Sequence, residues 1–207
     1  MSMAEPTAEP IGLDPAETRT IGPRDERAFG FWLFLMCDAV AFALLFANHG
    51  VLVAGRAGGP GPDEILMPWA LAAATLALLA ASTAGGIAKV RAEAGDGRAA
   101  ALAVGALALA GALGMSAAIW IIAQMIGMEA GPARSGYLSA VHAMLDMIVL
   151  HAALGLIWAL TLVAQLAGRG AEADVASRVK RLGNFWHLVA LIWGLMVIFV
   201  FLAGLAT

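Results

Sequence analysis

Five stretches of this 207-residue chain stay apolar for long enough to cross a lipid bilayer. Three carry no charged residue: Ile65 to Ala88, Ala99 to Met128 and Leu182 to Thr207. Two carry one acid each, Phe29 to Val53 with Asp38 and Tyr137 to Ala167 with Asp146. All exceed the roughly 20 residues that span a hydrocarbon core. The pattern predicts an all-α membrane protein of five transmembrane helices: Phe29–Val53, Met67–Val90, Ala99–Gly127, Tyr137–Ala167 and Leu182–Ala206. The connections between them are short and rich in Gly, Pro or charge, and none is large enough to be a domain. No internal repeat is evident.

Residues 1–27 break the pattern. They are polar and rich in Pro, Glu and Thr. They lack the basic start and apolar core of a signal peptide. A flexible, uncleaved cytoplasmic tail is expected there, with Pro15 to Thr18 a candidate for ordering against a partner. Residues 28–207 form the transmembrane domain.

Composition agrees with the pattern. Hydrophobic residues make up 61% of the chain and charged residues only 13%, against about 25% in soluble domains. The net charge of −3 comes without a basic patch or stripe, so a nucleic-acid partner is not expected. Cys37 is the only cysteine. It permits no internal disulfide and is expected to be a small packing residue within the first span. The third span contains GALALAGALG, Gly105 to Gly114. Small residues of this kind let helices approach closely in lipid.

Charge decides orientation. Ten of the twelve Lys and Arg fall in the tail, the second loop region or the fourth. Only Arg56 and Arg134 lie in the first and third. Basic residues collect on the cytoplasmic side, so the N-terminus is expected in the cytoplasm and the C-terminus in the periplasm. Trp32, Trp69, Tyr137 and Trp186 fall near predicted helix ends, where an aromatic belt would place them.

Polar groups inside the spans are costly, and each requires a reason. Asp38 is expected as a neutral acid bonded to another helix, with proton handling the competing role. His142 and Asp146 are four residues apart and share a helix face, which allows a direct pair. His151, nine residues beyond His142, turns to about the opposite face. His49 and His187 lie near helix ends and are expected to bond loops or lipid headgroups. Trp32, Arg134 and Trp186 are further lipid or interface candidates. The histidines lie at different depths and do not form a haem or metal ligand set. No CxxCH, phosphate-binding loop or hydrolytic triad occurs, so no catalytic, cofactor-binding or metal residue is expected.

Four stretches together resemble subunit III of the haem-copper oxidases, in particular the five-helix form of cytochrome bo-type ubiquinol oxidases. They are FGFWLFLMCDAVAFALLFANHGVLV, GPARSGYLSA, LHAALGLIW and NFWHLVALIW. The resemblance covers about residues 28–206. It implies a non-catalytic, multi-pass subunit of a bacterial inner membrane. That subunit would pack against a subunit I holding haem and copper, alongside subunits II and IV, and would bind phospholipid. The complex would oxidise ubiquinol, reduce oxygen to water and pump protons.

The chain also departs from the family pattern. Ala118 stands where a helix-three carboxylate is usual, Ile148 where a first histidine is usual, and Ala190 where an acid often follows FWH. His142 and Asp146 are additions, and Asp38 is retained. Two other readings stay open: an accessory subunit of a nitric oxide reductase or another haem-copper oxidase, and a small independent transporter using Asp38, His142 and Asp146.

Overall fold

Helix starts in this chain are set by prolines and small polar caps. A computed structural model describes residues 22–202. Helix α1, Pro23–Leu52, begins with proline in its first turn followed by Asp25 and Glu26. Proline costs nothing there, and the acids face the positive end of the helix dipole. A short α2, Pro62–Ile65, leads to α3, Pro68–Glu93, again with proline at its start. The Asp96 side chain accepts from the Ala99 N–H to cap α4, Gly97–Gly127. Ser135 caps α5, Gly136–Arg169, in the same way through the Leu138 N–H at 3.2 Å. Helix α5 ends on Gly170 at φ 67°, a left-handed conformation suited to glycine. Helix α6, Ala173–Met196, continues into a π-helical end at Val197–Leu202.

All five expected spans are present as long apolar helices, but two begin early. Helix α1 starts at Pro23 rather than Phe29, so residues 23–27 of the expected tail are helical. Helix α6 starts at Ala173 rather than Leu182. Hydropathy marks the length of helix that lipid can cover, whereas the backbone goes on through charged turns until a cap stops it. The Pro15 to Thr18 segment and the expected helical residues 203–206 lie outside the described residues.

Helices α3, α4, α5 and α6 pack as a ring, each against its two neighbours, and α1 lies outside it against α5 and α6. Only 11% of the α1 apolar stretch is buried, against 50% for α6, so α6 is central and α1 peripheral. Close approach needs glycine at particular places. A Cβ on Gly183 would lie 3.0 Å from the Gly85 carbonyl oxygen, where α3 meets α6. A Cβ on Gly111 would lie 2.3 Å from the Trp186 ring, and one on Gly155 would lie 3.1 Å from that same ring. The fully buried indole of Trp186 therefore occupies a slot cut by one glycine of α4 and one of α5.

The bundle has two distinct ends. At one, Arg24 of α1 pairs with Asp174 of α6 at 3.0 Å, and Lys180 lies 3.9 Å from Glu93. This basic end also carries residues 94–96 and 170–172. At the opposite end, Arg134 donates to the Gly58 carbonyl at 3.3 Å, and the Tyr137 N–H donates to that of Gly55. These bonds tie together the two loops of that end.

Candidate functional site

Among the described residues, one carboxyl and one imidazole meet inside the bundle. Asp38 on α1 and His151 on α5 meet with Oδ1 2.9 Å from Nε2, and their side chains are 11% and 9% exposed. His151 Nδ1 lies 2.7 Å from the Met147 carbonyl, one turn back on its own helix. A carbonyl can only accept, so Nδ1 carries a proton and donates it. The contact with Asp38 then holds one proton, either on Oδ1 donating to Nε2 or on Nε2 donating to Oδ1. Phe42 meets the imidazole edge-on at 5.1 Å, and Phe185 stacks on it at 6.1 Å. Water is thus kept from the pair on two sides. Asp38 Oδ2 has no partner among the described residues.

His142 and Asp146 do not pair. The buried His142 donates from Nε2 to the Ala130 carbonyl at 2.9 Å. Asp146 is exposed on the outer face of α5 and makes no hydrogen bond or ion pair among the described residues. The four-residue spacing put both on one side of the helix. The loop before α5 folds back and takes the histidine, and nothing among the described residues reaches the acid. The two histidines of α5 face different elements, His142 the 128–135 loop and His151 helix α1.

The remaining candidates divide by burial. Trp186 is fully buried rather than at an interface, because its glycine slot admits the ring into the bundle. Tyr137, expected in the aromatic belt, is also fully buried, 5.7 Å from His49 between ring centroids. His49 is 5% exposed, and neither its Nε2 nor the Tyr137 hydroxyl has a partner among the described residues. Arg134 contacts the neighbouring loop. Trp32 is exposed on α1. His187 is exposed and bonds through Nδ1 to the Ser82 hydroxyl. Cys37 is exposed on α1 and packs into no interior.

Two hydroxyls on α3 were not anticipated. Ser82 holds His187, and Thr75 accepts from Trp193 Nε1 at 2.9 Å. They are seven residues apart and so nearly share a face of α3. That spacing in an Ala-rich helix was the available signal. The departures at Ala118, Ile148 and Ala190 all fall on buried positions. Among the described residues, no three His, Cys, Asp or Glu side chains gather as metal ligands do.

A groove separates α1 from α6. Its apolar part encloses about 370 Å³ and is lined by Trp32, Leu35, Met36, His187, Leu188 and Leu191. Toward the basic end it opens between Arg24, Lys180 and Arg181.

No family model matches the chain. It is 38% identical over 177 residues to the cytochrome bo(3) ubiquinol oxidase subunit 3 of Pseudomonas aeruginosa, covering 85% of this chain and 84% of that protein. Against the protein of the same name from Pseudomonas putida, identity is 36% over 179 residues, covering 84% of each. It is also 28% identical to the cytochrome c oxidase subunit 3 of Bacillus sp. strain PS3, over 96% of both chains.

Proposed function

Because the chain belongs to the subunit III family of the haem-copper oxidases, we propose that it is the accessory, non-catalytic third subunit of a cytochrome bo-type ubiquinol oxidase in a bacterial inner membrane. The observation that carries this reading is identity of 36–38% to subunits of that name across most of both chains. In this reading the complex oxidises ubiquinol, reduces oxygen to water and pumps protons, with haem and copper held by subunit I. This chain stabilises subunit I and assembles with subunits II and IV.

The basic end faces the cytoplasm, which puts the N-terminus inside and the C-terminus in the periplasm. The α1–α6 groove takes a phospholipid, its tails along Leu35, Met36 and Leu191 and its phosphate near Arg24, Lys180 and Arg181. Asp38 and His151 serve as a structural tie that fastens the peripheral α1 to the ring. Burial, aromatic enclosure and a single shared proton support that role.

Purification in mild detergent through a tag on this chain, with an optical spectrum, tests the proposal. A reduced-minus-oxidised haem signal with quinol-dependent oxygen uptake is expected. Haem with nitric oxide consumption would assign the chain to a different reductase. A colourless homo-oligomer would overturn the oxidase reading and make Asp38 and Asp146 the first residues to test for transport.

A further inference from the structure

Asp146 is an acid on the outside of a membrane-spanning helix. Asp38 and His151 fix its depth. Asp38 stands near the middle of α1, fifteen residues from Pro23 and fourteen from Leu52. Asp146 is five residues from His151 along α5, about 7.5 Å from that level at 1.5 Å per residue. The hydrocarbon half-thickness is about 15 Å, so at least roughly 7 Å of apolar core separates Asp146 from the headgroups. Lysine and arginine cross such a distance by extending their stems, but aspartate has one methylene.

The surrounding face offers no relief. Leu150, Leu154 and Ile157 are 52%, 55% and 62% exposed. Ala143 and Ser139 are exposed one and two turns away toward the start of α5. Both are small, so another helix can approach closely there. Helix α1 lies against α5 on the side of His151, well around the helix from Asp146. An intramembrane acid ordinarily faces a bundle interior or a charged partner, and within the described chain Asp146 has neither.

We propose that the α5 face formed by Ser139, Ala143, Asp146, Leu150 and Ile157 docks a transmembrane helix of another subunit of the oxidase, and that this helix presents a lysine or arginine to Asp146. This rests on the oxidase reading given above. A basic side chain supplies both countercharge and hydrogen bonds to a carboxylate that lipid cannot solvate. A second copy of this chain fits less well, because a two-fold contact centred on this face would oppose carboxylate to carboxylate.

Photo-crosslinking in native membranes tests the proposal. A benzophenone amino acid is placed at Leu150, and a control is placed at Leu102, 77% exposed on α4. The expected adduct at Leu150 is to a second oxidase subunit, within a membrane-spanning peptide that contains Lys or Arg. Asp146→Leu and Asp146→Lys are expected to lower that adduct about tenfold, and Asp146→Glu to retain most of it. An adduct to lipid alone, an adduct to a second copy, or an adduct unchanged in Asp146→Leu would each overturn the proposal. The unsubstituted chain separates the two levels of failure: absence of co-purifying haem sinks the oxidase reading, whereas haem with a lipid-only adduct sinks only this docking face.

Discussion

Gly111→Ala adds one methyl group where α4 packs directly on the Trp186 ring. The new Cβ would stand 2.3 Å from Trp186 Cη2, 2.9 Å from Cζ2 and 3.0 Å from Cζ3. Carbon atoms rest at about 3.5 Å or more, so the ring must retreat by about 1.2 Å. It has nowhere to go, because Gly155 closes the slot, with its own Cβ position 3.1 Å from Trp186 Cε2 and Cζ2. Overpacking of this kind costs about 1–3 kcal/mol. For a chain of this size that is a fall of several degrees in the thermal midpoint, read as loss of this subunit from the detergent-solubilised complex. Gly105→Ala on the same helix meets no atom within 4 Å and is expected to leave the midpoint unchanged or raise it slightly. Trp186→Phe removes the outer ring that makes the clash, so Gly111→Ala is expected to cost nothing further in that background. A wild-type midpoint for Gly111→Ala would refute the slot, and so would costs that simply add in the double variant.

Asp38→Leu and His151→Leu should each destabilise the assembled subunit by about 1–3 kcal/mol through the buried polar partner left behind. The double variant should lose less than the sum, as titration with a denaturing detergent would show. His142→Phe removes the bond to the Ala130 carbonyl. Backbone hydrogen exchange across residues 128–135 should quicken by about tenfold, with α1 unaffected, for a loss near 1.4 kcal/mol. Arg134→Ala should free the loop around Gly58 to proteolysis while costing under about 0.5 kcal/mol, since the bond it removes is exposed.

Lipid demands long apolar runs, and that demand made the five spans legible in the residues alone. Their ends were less so. Pro23 and Ala173 open their helices among charged side chains where hydropathy is silent. Helical periodicity gives the angles between His142, Asp146 and His151, but an angle does not say what lies opposite. The Ala130 carbonyl took His142, and Asp38 met His151 from 113 residues away. A single sequence holds no sign of which distant polar residue will be the partner. Trp186 shows the same limit. Its place near a helix end suggested a belt residue, whereas Gly111 and Gly155 on two other helices draw it inside.

The tie between Asp38 and His151 also orders events during synthesis. Helix α1 leaves the ribosome before the other described spans, yet its neighbours in the fold are α5 and α6, the latest of them. With 113 residues between the two side chains and elongation at about 5–20 residues per second, α1 waits on the order of ten seconds for its partner. Through that interval Asp38 must sit in the insertion machinery or in lipid without its histidine. The first span is thus the last to lock, and truncation before α5 would leave it anchored in the membrane but undocked, an obvious target for quality-control proteases.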